Sequence, residues 1–282
     1  MEINLNDWTL KSNRTATQVF VNSDESQLLK IYKSISDEEM TAIAAEYNMS
    51  SKISKLGVPT PGVIEIAHLE NGCYGVIYEN IKNKVSLSRA VSQDKSKMDT
   101  CMIKFARMGE LIHETEVDDV KLFDDIEEII KKNLPKVKTY TDEDKQIILD
   151  FMASVPKTKT LIHGDFHPGN VITNWDKDYV IDVGDFTYGN PLYDWAQWFF
   201  MSHYLPEDNI DKVFHMSKAD IIECWRLSVK YSFGYTSEEQ IDEFEKEVEP
   251  FLAFVMIAHM NVFGEYIEYD LAYQKKINSL FK

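Results

Sequence analysis

The sequence predicts an α+β fold: a small antiparallel-sheet lobe with one helix, followed by a larger and mostly helical lobe. Three observations carry this. Before about residue 80, short runs rich in β-branched and aromatic residues alternate with turn residues. After it, apolar residues recur at helical spacing, interrupted by one strand-like stretch at about 158–183. No linker, repeat or low-complexity tract divides the chain, so the change of pattern sets the expected lobes at 1–80 and 81–282. The cleft between two such lobes is the default place to expect a ligand.

Trp8–Leu10, Thr17–Val21 and Leu28–Tyr32 read as strands, with a turn at Asn22–Glu25 between the last two. A helix follows. Ser36 can cap it and Glu39 can close a capping box, because each satisfies a free amide of the first turn. Met40, Ile43, Ala44, Tyr47 and Ile53 form its apolar stripe. Gly57 fits the stop, and Pro59 and Pro61 prevent a restart. Val63–Ala67 and Tyr74–Tyr78 then predict a hairpin around Asn71-Gly72. Beyond it, helices are expected at 86–116, 123–134, 142–154, 191–203, 217–232 and 238–277.

Composition narrows the function. The 282 residues carry 30 Lys and Arg against 47 Asp and Glu, a formal charge of −17. That argues against nucleic-acid and anionic-membrane partners, which need clustered cations, and is compatible with a cationic small substrate. No apolar run is long enough for a membrane span, and the first residues lack the pattern of a secretion signal. Cys73, Cys101 and Cys224 lie far apart and read as reduced thiols, which points to the cytoplasm. We expect a monomer or weak dimer.

The informative stretch is His163-Gly164-Asp165-Phe166-His167-Pro168-Gly169-Asn170, followed by a second motif at 181–196. Val171–Thr173 and Tyr179–Ile181 flank a polar turn and suggest a hairpin. Pairing about Asp176 puts Asn170 opposite Asp182, close enough for an amide oxygen and a carboxylate to share one hard cation such as Mg²⁺. Asp165 lies on the loop entering that hairpin. A free carboxylate beside an Asn/Asp metal pair is what phosphoryl transfer requires: the metal neutralises phosphate oxygens, and the carboxylate orients the attacking hydroxyl and accepts its proton.

On HGDFHPGN (163–170) and IDVGDFTYGNPLYDWA (181–196) the sequence resembles the aminoglycoside phosphotransferase and choline kinase-like family, which shares the protein-kinase fold. The resemblance implies a bilobal fold and an ATP- and Mg²⁺-dependent kinase acting on a small-molecule hydroxyl, with GTP as an alternative nucleotide. It implies Asp165 as catalytic base, Asn170 and Asp182 as metal ligands, and Asp194 as a structural aspartate bracing the catalytic loop. Asp185 resembles a further acidic position at the cleft. Lys30, on an apolar strand, needs a partner; paired with Glu46 it resembles the family's strand lysine and helix glutamate. Glu79, Asn80 and Ile81, after Tyr78, resemble the hinge whose backbone binds adenine. The stretch 11–16 has no glycine where kinases cover phosphates; Asn13 tolerates a left-handed turn, Ser12 and Thr15 offer hydroxyl donors, and Arg14 adds charge.

Other residues read more plainly. His163 supports the loop, His113 packs within a helix, and the acidic run 238–249 is a solvated helix face. Trp225, Tyr231, Phe233, Tyr235 and Tyr266 suit either an acceptor pocket or the core. Two competing functions follow from the same residues. One is a catalytically weak nucleotide-binding regulator, motivated by the glycine-free loop. The other is a metallohydrolase built on His163, Asp165, His167 and Asp182, which leaves Asn170 and Lys30 without a task.

Overall fold

The computed structural model describes residues 2–13, 17–33, 37–117 and 122–258. The architecture is α+β, as expected. The chain forms two compact units, Met1–Leu87 with Asn170–Gly184, and Ser88–Gly169 with Asp185–Lys282. The change of pattern near residue 80 predicts a single boundary, whereas residues 170–184 return to the first unit. The first unit reaches further because β7 (Val85–Ser86) pairs with the later hairpin.

In the first unit the strands are β1 (Glu2–Ile3), β2 (Trp8–Asn13), β3 (Thr17–Asn22), β4 (Gln27–Tyr32), β5 (Val63–Leu69) and β6 (Tyr74–Glu79). They form one sheet in the order β1-β5-β6-β4-β3-β2. All its pairings are antiparallel except β1 with β5, a short parallel contact that the sequence does not announce. Ile3, Phe20, Leu29, Ile31, Ala67, Leu69 and Ile77 make its core cluster. β6 approaches β4 so closely that a Cβ on Gly75 would lie 2.6 Å from the Lys30 carbonyl oxygen, which only glycine permits. Helix α1 (Asp37–Lys55) buries Ile43 and Ile53. The expected Ser36–Glu39 capping box lies outside what is described.

The later hairpin, β9 (Val171–Thr173) and β10 (Asp178–Val180), also belongs to the first unit. Its register differs from the expectation by one residue: Val171 opposes Val180 and Thr173 opposes Asp178. Asn170 therefore sits beside Ile181, whose N–H donates to its carbonyl at 2.9 Å, and not opposite Asp182. The cause is the four-residue loop. The Asn174 side chain accepts from the Asp176 and Lys177 amides, and Trp175 takes a left-handed φ of 72°.

The second unit holds α2 (Leu87–Gln93, Leu87 itself counted with the first), α3 (Met98–His113), α4 (Ile126–Asn133), α5 (Asp142–Ser154), α6 (Leu192–His203), α7 (Glu207–Phe214), α8 (Lys218–Phe233), α9 (Glu238–Val248) and α10 (Leu252–Ala258). The helix expected at 86–116 breaks at Asp94, whose side chain accepts the Ser96 amide and caps a 3-10 turn. α7 falls between the helices expected at 191–203 and 217–232. A short antiparallel pair, β8 (Leu161–Ile162) with β11 (Thr187–Tyr188), frames the loop that follows β8. Trp198 and Trp225 are fully buried, and Trp225 packs against Trp195, Phe199 and Phe244, so it is a core residue. Phe233 packs on the same cluster while partly exposed; Tyr266 lies outside the described residues. Among the described residues no helix is long and apolar enough to cross a membrane.

Candidate active site

In the first unit the strand β4 carries Lys30 and the helix α1 carries Glu46. The Lys30 ammonium donates to both Glu46 oxygens, at 3.0 and 3.3 Å, and to Asp182 Oδ1 at 3.1 Å. Burial alone would push Lys30 down, but the Asp182 and Glu46 carboxylates outweigh it and the net shift is upward. Glu46 is held further by the Tyr32 and Tyr78 hydroxyls, the latter at 2.5 Å. Burial, then the Glu46 charge, raises the Tyr78 hydroxyl and keeps it a neutral donor. The sequence places Tyr78 at the start of the hinge run and points to neither tyrosine as a partner of Glu46. Tyr32 lies two residues after Lys30 on one strand face, a spacing that could have suggested it.

Lys30, Glu46, Tyr78 and Asp182 line a cavity of about 260 Å³ whose apolar residues include Val19 and Leu28 from the sheet and Ile172 and Ile181 from the hairpin region. Ser12, Thr17 and Glu79 also line it; Asn13 is exposed and is not among its lining residues. Thr15 lies outside the described residues. At the expected hinge, the Glu79 amide donates to Gly62 and the Asn80 amide to Ser26, so those two donors are taken. Among the described residues no backbone carbonyl takes the Ile81 amide. Lys84, missed in the sequence, lines the cavity as well; it donates to Asn80 Oδ1 at 2.8 Å, and burial lowers its pKa.

Asp182 has a left-handed φ of 56°, a conformation that Asp tolerates better than most residues. Its side chain is half exposed, and Asn170 is buried. One carboxylate and one amide oxygen are hard donors that suit Mg²⁺, an ion that takes its remaining ligands from phosphate and water. Among the described residues no three His, Cys, Asp or Glu side chains converge on a metal position. The metallohydrolase set of His163, Asp165, His167 and Asp182 gains no support from this.

In the second unit the loop after β8 is built around Asp194 of α6, which has no exposed surface. Its Oδ1 accepts the Gly164 amide at 2.8 Å, and its Oδ2 accepts the His163 amide at 2.8 Å and His113 Nε2 at 2.9 Å. Gly164 has φ 84°, and a Cβ there would meet the Asp185 carbonyl oxygen at 2.5 Å. His163 is buried, and its Nδ1 accepts the Asp165 amide at 3.2 Å. His113 is thus a partner of Asp194 and not a packing residue alone. Asp165 itself is partly exposed, with Gln197 Nε2 3.0 Å from Oδ1 and His167 Nε2 3.6 Å from Oδ2. Gln197 escaped the sequence reading, although it lies three residues after Asp194 on the same helix, the spacing that puts two side chains on one face.

A profile of the phosphotransferase enzyme family matches residues 9–209. No curated protein matches the chain. Among solved structures, the chain is similar to a thermostable mutant of aminoglycoside phosphotransferase APH(4)-Ia in its apo form, with 14% identity, a TM-score of 0.64 and coverage of 98% and 94% of the two chains. It is similar to a choline/ethanolamine kinase family protein from Mesorhizobium loti, with 13% identity, a TM-score of 0.59 and coverage of 95% and 87%. It is also similar to APH(2")-IIa in its gentamicin complex, with 18% identity, a TM-score of 0.59 and coverage of 98% and 91%. These likenesses identify the fold as protein-kinase-like. With a family match spanning most of its length, the chain belongs to the phosphotransferase enzyme family.

Proposed function

We propose that the chain is an ATP- and Mg²⁺-dependent small-molecule kinase that moves a γ-phosphoryl group to a substrate hydroxyl. The observation that carries this reading is the Lys30–Glu46–Asp182 cluster on the wall of a partly apolar cavity. A purine suits the apolar residues, with the Ile81 amide as its hinge donor and Glu79 and Asn80 shaping the edge. Lys30 holds the α- and β-phosphates. Asn170 and Asp182 would hold Mg²⁺, which neutralises phosphate oxygens when bound.

Asp165 orients the acceptor hydroxyl and takes its proton as the new oxygen–phosphorus bond forms. The bond from the γ-phosphorus to the β–γ bridging oxygen breaks, and the nucleoside diphosphate leaves with that electron pair. The acceptor is a small hydroxyl compound, and the net charge of −17 is compatible with a cationic one; GTP is the second nucleotide to test. The cytoplasm, which supplies nucleoside triphosphates and keeps thiols reduced, suits three free cysteines. A phosphotransfer screen pairing Mg·ATP and Mg·GTP with aminoglycosides, amino alcohols and sugars tests the reading. Label appearing on an acceptor supports it. Nucleotide binding without transfer to any acceptor or to water favours the regulator instead.

A further inference from the structure

Lys30 and Lys84 both line the cavity of the first unit, and their surroundings differ. Lys30 meets two carboxylates. Among the described residues Lys84 meets none: its ammonium donates to the neutral amide oxygen of Asn80 at 2.8 Å. Burial lowers its pKa, and no carboxylate offsets the fall. Glu79, an acidic residue of the same wall, is turned towards Gly62, where an added Cβ would meet its Oε2 at 3.3 Å.

A lysine at a cavity rim ordinarily lays its stem on the protein and carries its head out to water. Here the head is brought back and held. Asn80 is itself pinned to the turn between β3 and β4: its main-chain amide donates to the Ser26 carbonyl at 2.9 Å and its Nδ2 to the Glu25 carbonyl at 3.0 Å. The Asn80 oxygen is fixed in this way, and the ammonium is aimed through it. An ammonium has three protons. One goes to Asn80, and the others are left for what fills the cavity.

Its place along the chain says which part of a nucleotide it meets. Lys84 follows the hinge stretch 79–81 and directly precedes β7, whose Ser86 opposes the lining residue Ile172. With the phosphates at Lys30 and the purine edge at Ile81, the sugar lies by the chain beyond Ile81. Its neighbouring hydroxyl oxygens are acceptors for a cation that has no carboxylate of its own.

We propose that Lys84 is the sugar-recognising residue of this cavity: its ammonium, aimed by Asn80, donates to the ribose hydroxyls and makes the site select ribonucleotides over deoxyribonucleotides. This rests on the cavity being the nucleotide site, as proposed above. A lysine that only ties the hinge to the β3–β4 turn predicts otherwise, because losing that tie weakens every nucleotide alike.

The test is calorimetric titration of the full chain, in the presence of Mg²⁺, with ATP and with dideoxy-ATP, which lacks both sugar hydroxyls. A hydrogen bond from a charged donor is worth about tenfold or more in affinity, so the wild type should prefer ATP by that factor. Lys84→Met should bring the preference down to about twofold or less by weakening ATP, with dideoxy-ATP nearly unchanged. Lys84→Ala takes its place if the methionine variant fails to fold, and Lys84→Arg, which keeps a charged donor, should retain part of the preference. An equal loss for both nucleotides in Lys84→Met, or a wild type that binds the two alike, overturns the inference and leaves the nucleotide reading standing. Binding of neither nucleotide by the wild type overturns both.

Discussion

The two units hold their carboxylates in different ways. In the first, Glu46 and Asp182 meet the Lys30 ammonium as opposite charges, and two tyrosine hydroxyls steady Glu46. In the second, Asp194 is satisfied by two backbone amides and an imidazole, and Asp165 by the Gln197 amide. The distinction has chemical content. A carboxylate pinned to an ammonium is a poor proton acceptor but a good way to hold a cation in place. A carboxylate held by a neutral amide loses rotational freedom while keeping more of its basicity. The first arrangement suits binding phosphates, and the second suits accepting a proton.

Substitutions can break this contrast one unit at a time. The largest effect is expected at Asp165. Replacing it by alanine should lower turnover by about 10²- to 10⁴-fold, the range for general-base removal, with nucleotide affinity preserved in a direct binding measurement. Next comes Asp194→Ala, which leaves two buried amides and His113 without their acceptor. Chemical denaturation should show a loss of roughly 3–5 kcal/mol. Glu46→Ala frees Lys30 from one of its two carboxylates and should weaken Mg·ATP binding by about tenfold, equivalent to ~1.4 kcal/mol, while phosphate transfer at saturation falls less.

The smallest expected effect is on alkaline stability. The folded-state value of Lys30 lies above the ordinary lysine value of 10.5. The ammonium therefore stabilises the fold below that pH, and the contribution is lost as pH rises through the higher folded value. Thermal melts between pH 9 and 12 should show a steeper alkaline decline in the wild type than in Lys30→Met.

Much of this was legible in the sequence because it depends on local pattern. The strand carrying Lys30 and the helix carrying Glu46 follow from periodicity, and the structure brings the two side chains to 3.0 Å. The hairpin was placed correctly, but its register was off by one. A residue count about Asp176 cannot reveal that Asn174 folds its own side chain over a four-residue loop. Tyr78 was missed as a partner of Glu46 because their meeting depends on how α1 lies on β6, a tertiary fact. Gln197 was missed for a different reason. An apolar helix containing Trp195, Trp198, Phe199 and Phe200 reads as core, and a glutamine within it attracts attention only once its target is known. The three-residue step from Asp194 was the available signal.

The most direct measurement is calorimetric titration of Mg²⁺ and a non-hydrolysable ATP analogue into the wild type, Lys30→Met and Asp165→Asn. The account predicts wild-type affinity for Asp165→Asn and a loss of tenfold or more for Lys30→Met. Equal affinity in all three proteins, or no binding to the wild type, would contradict the assignment of nucleotide binding to the Lys30 cluster.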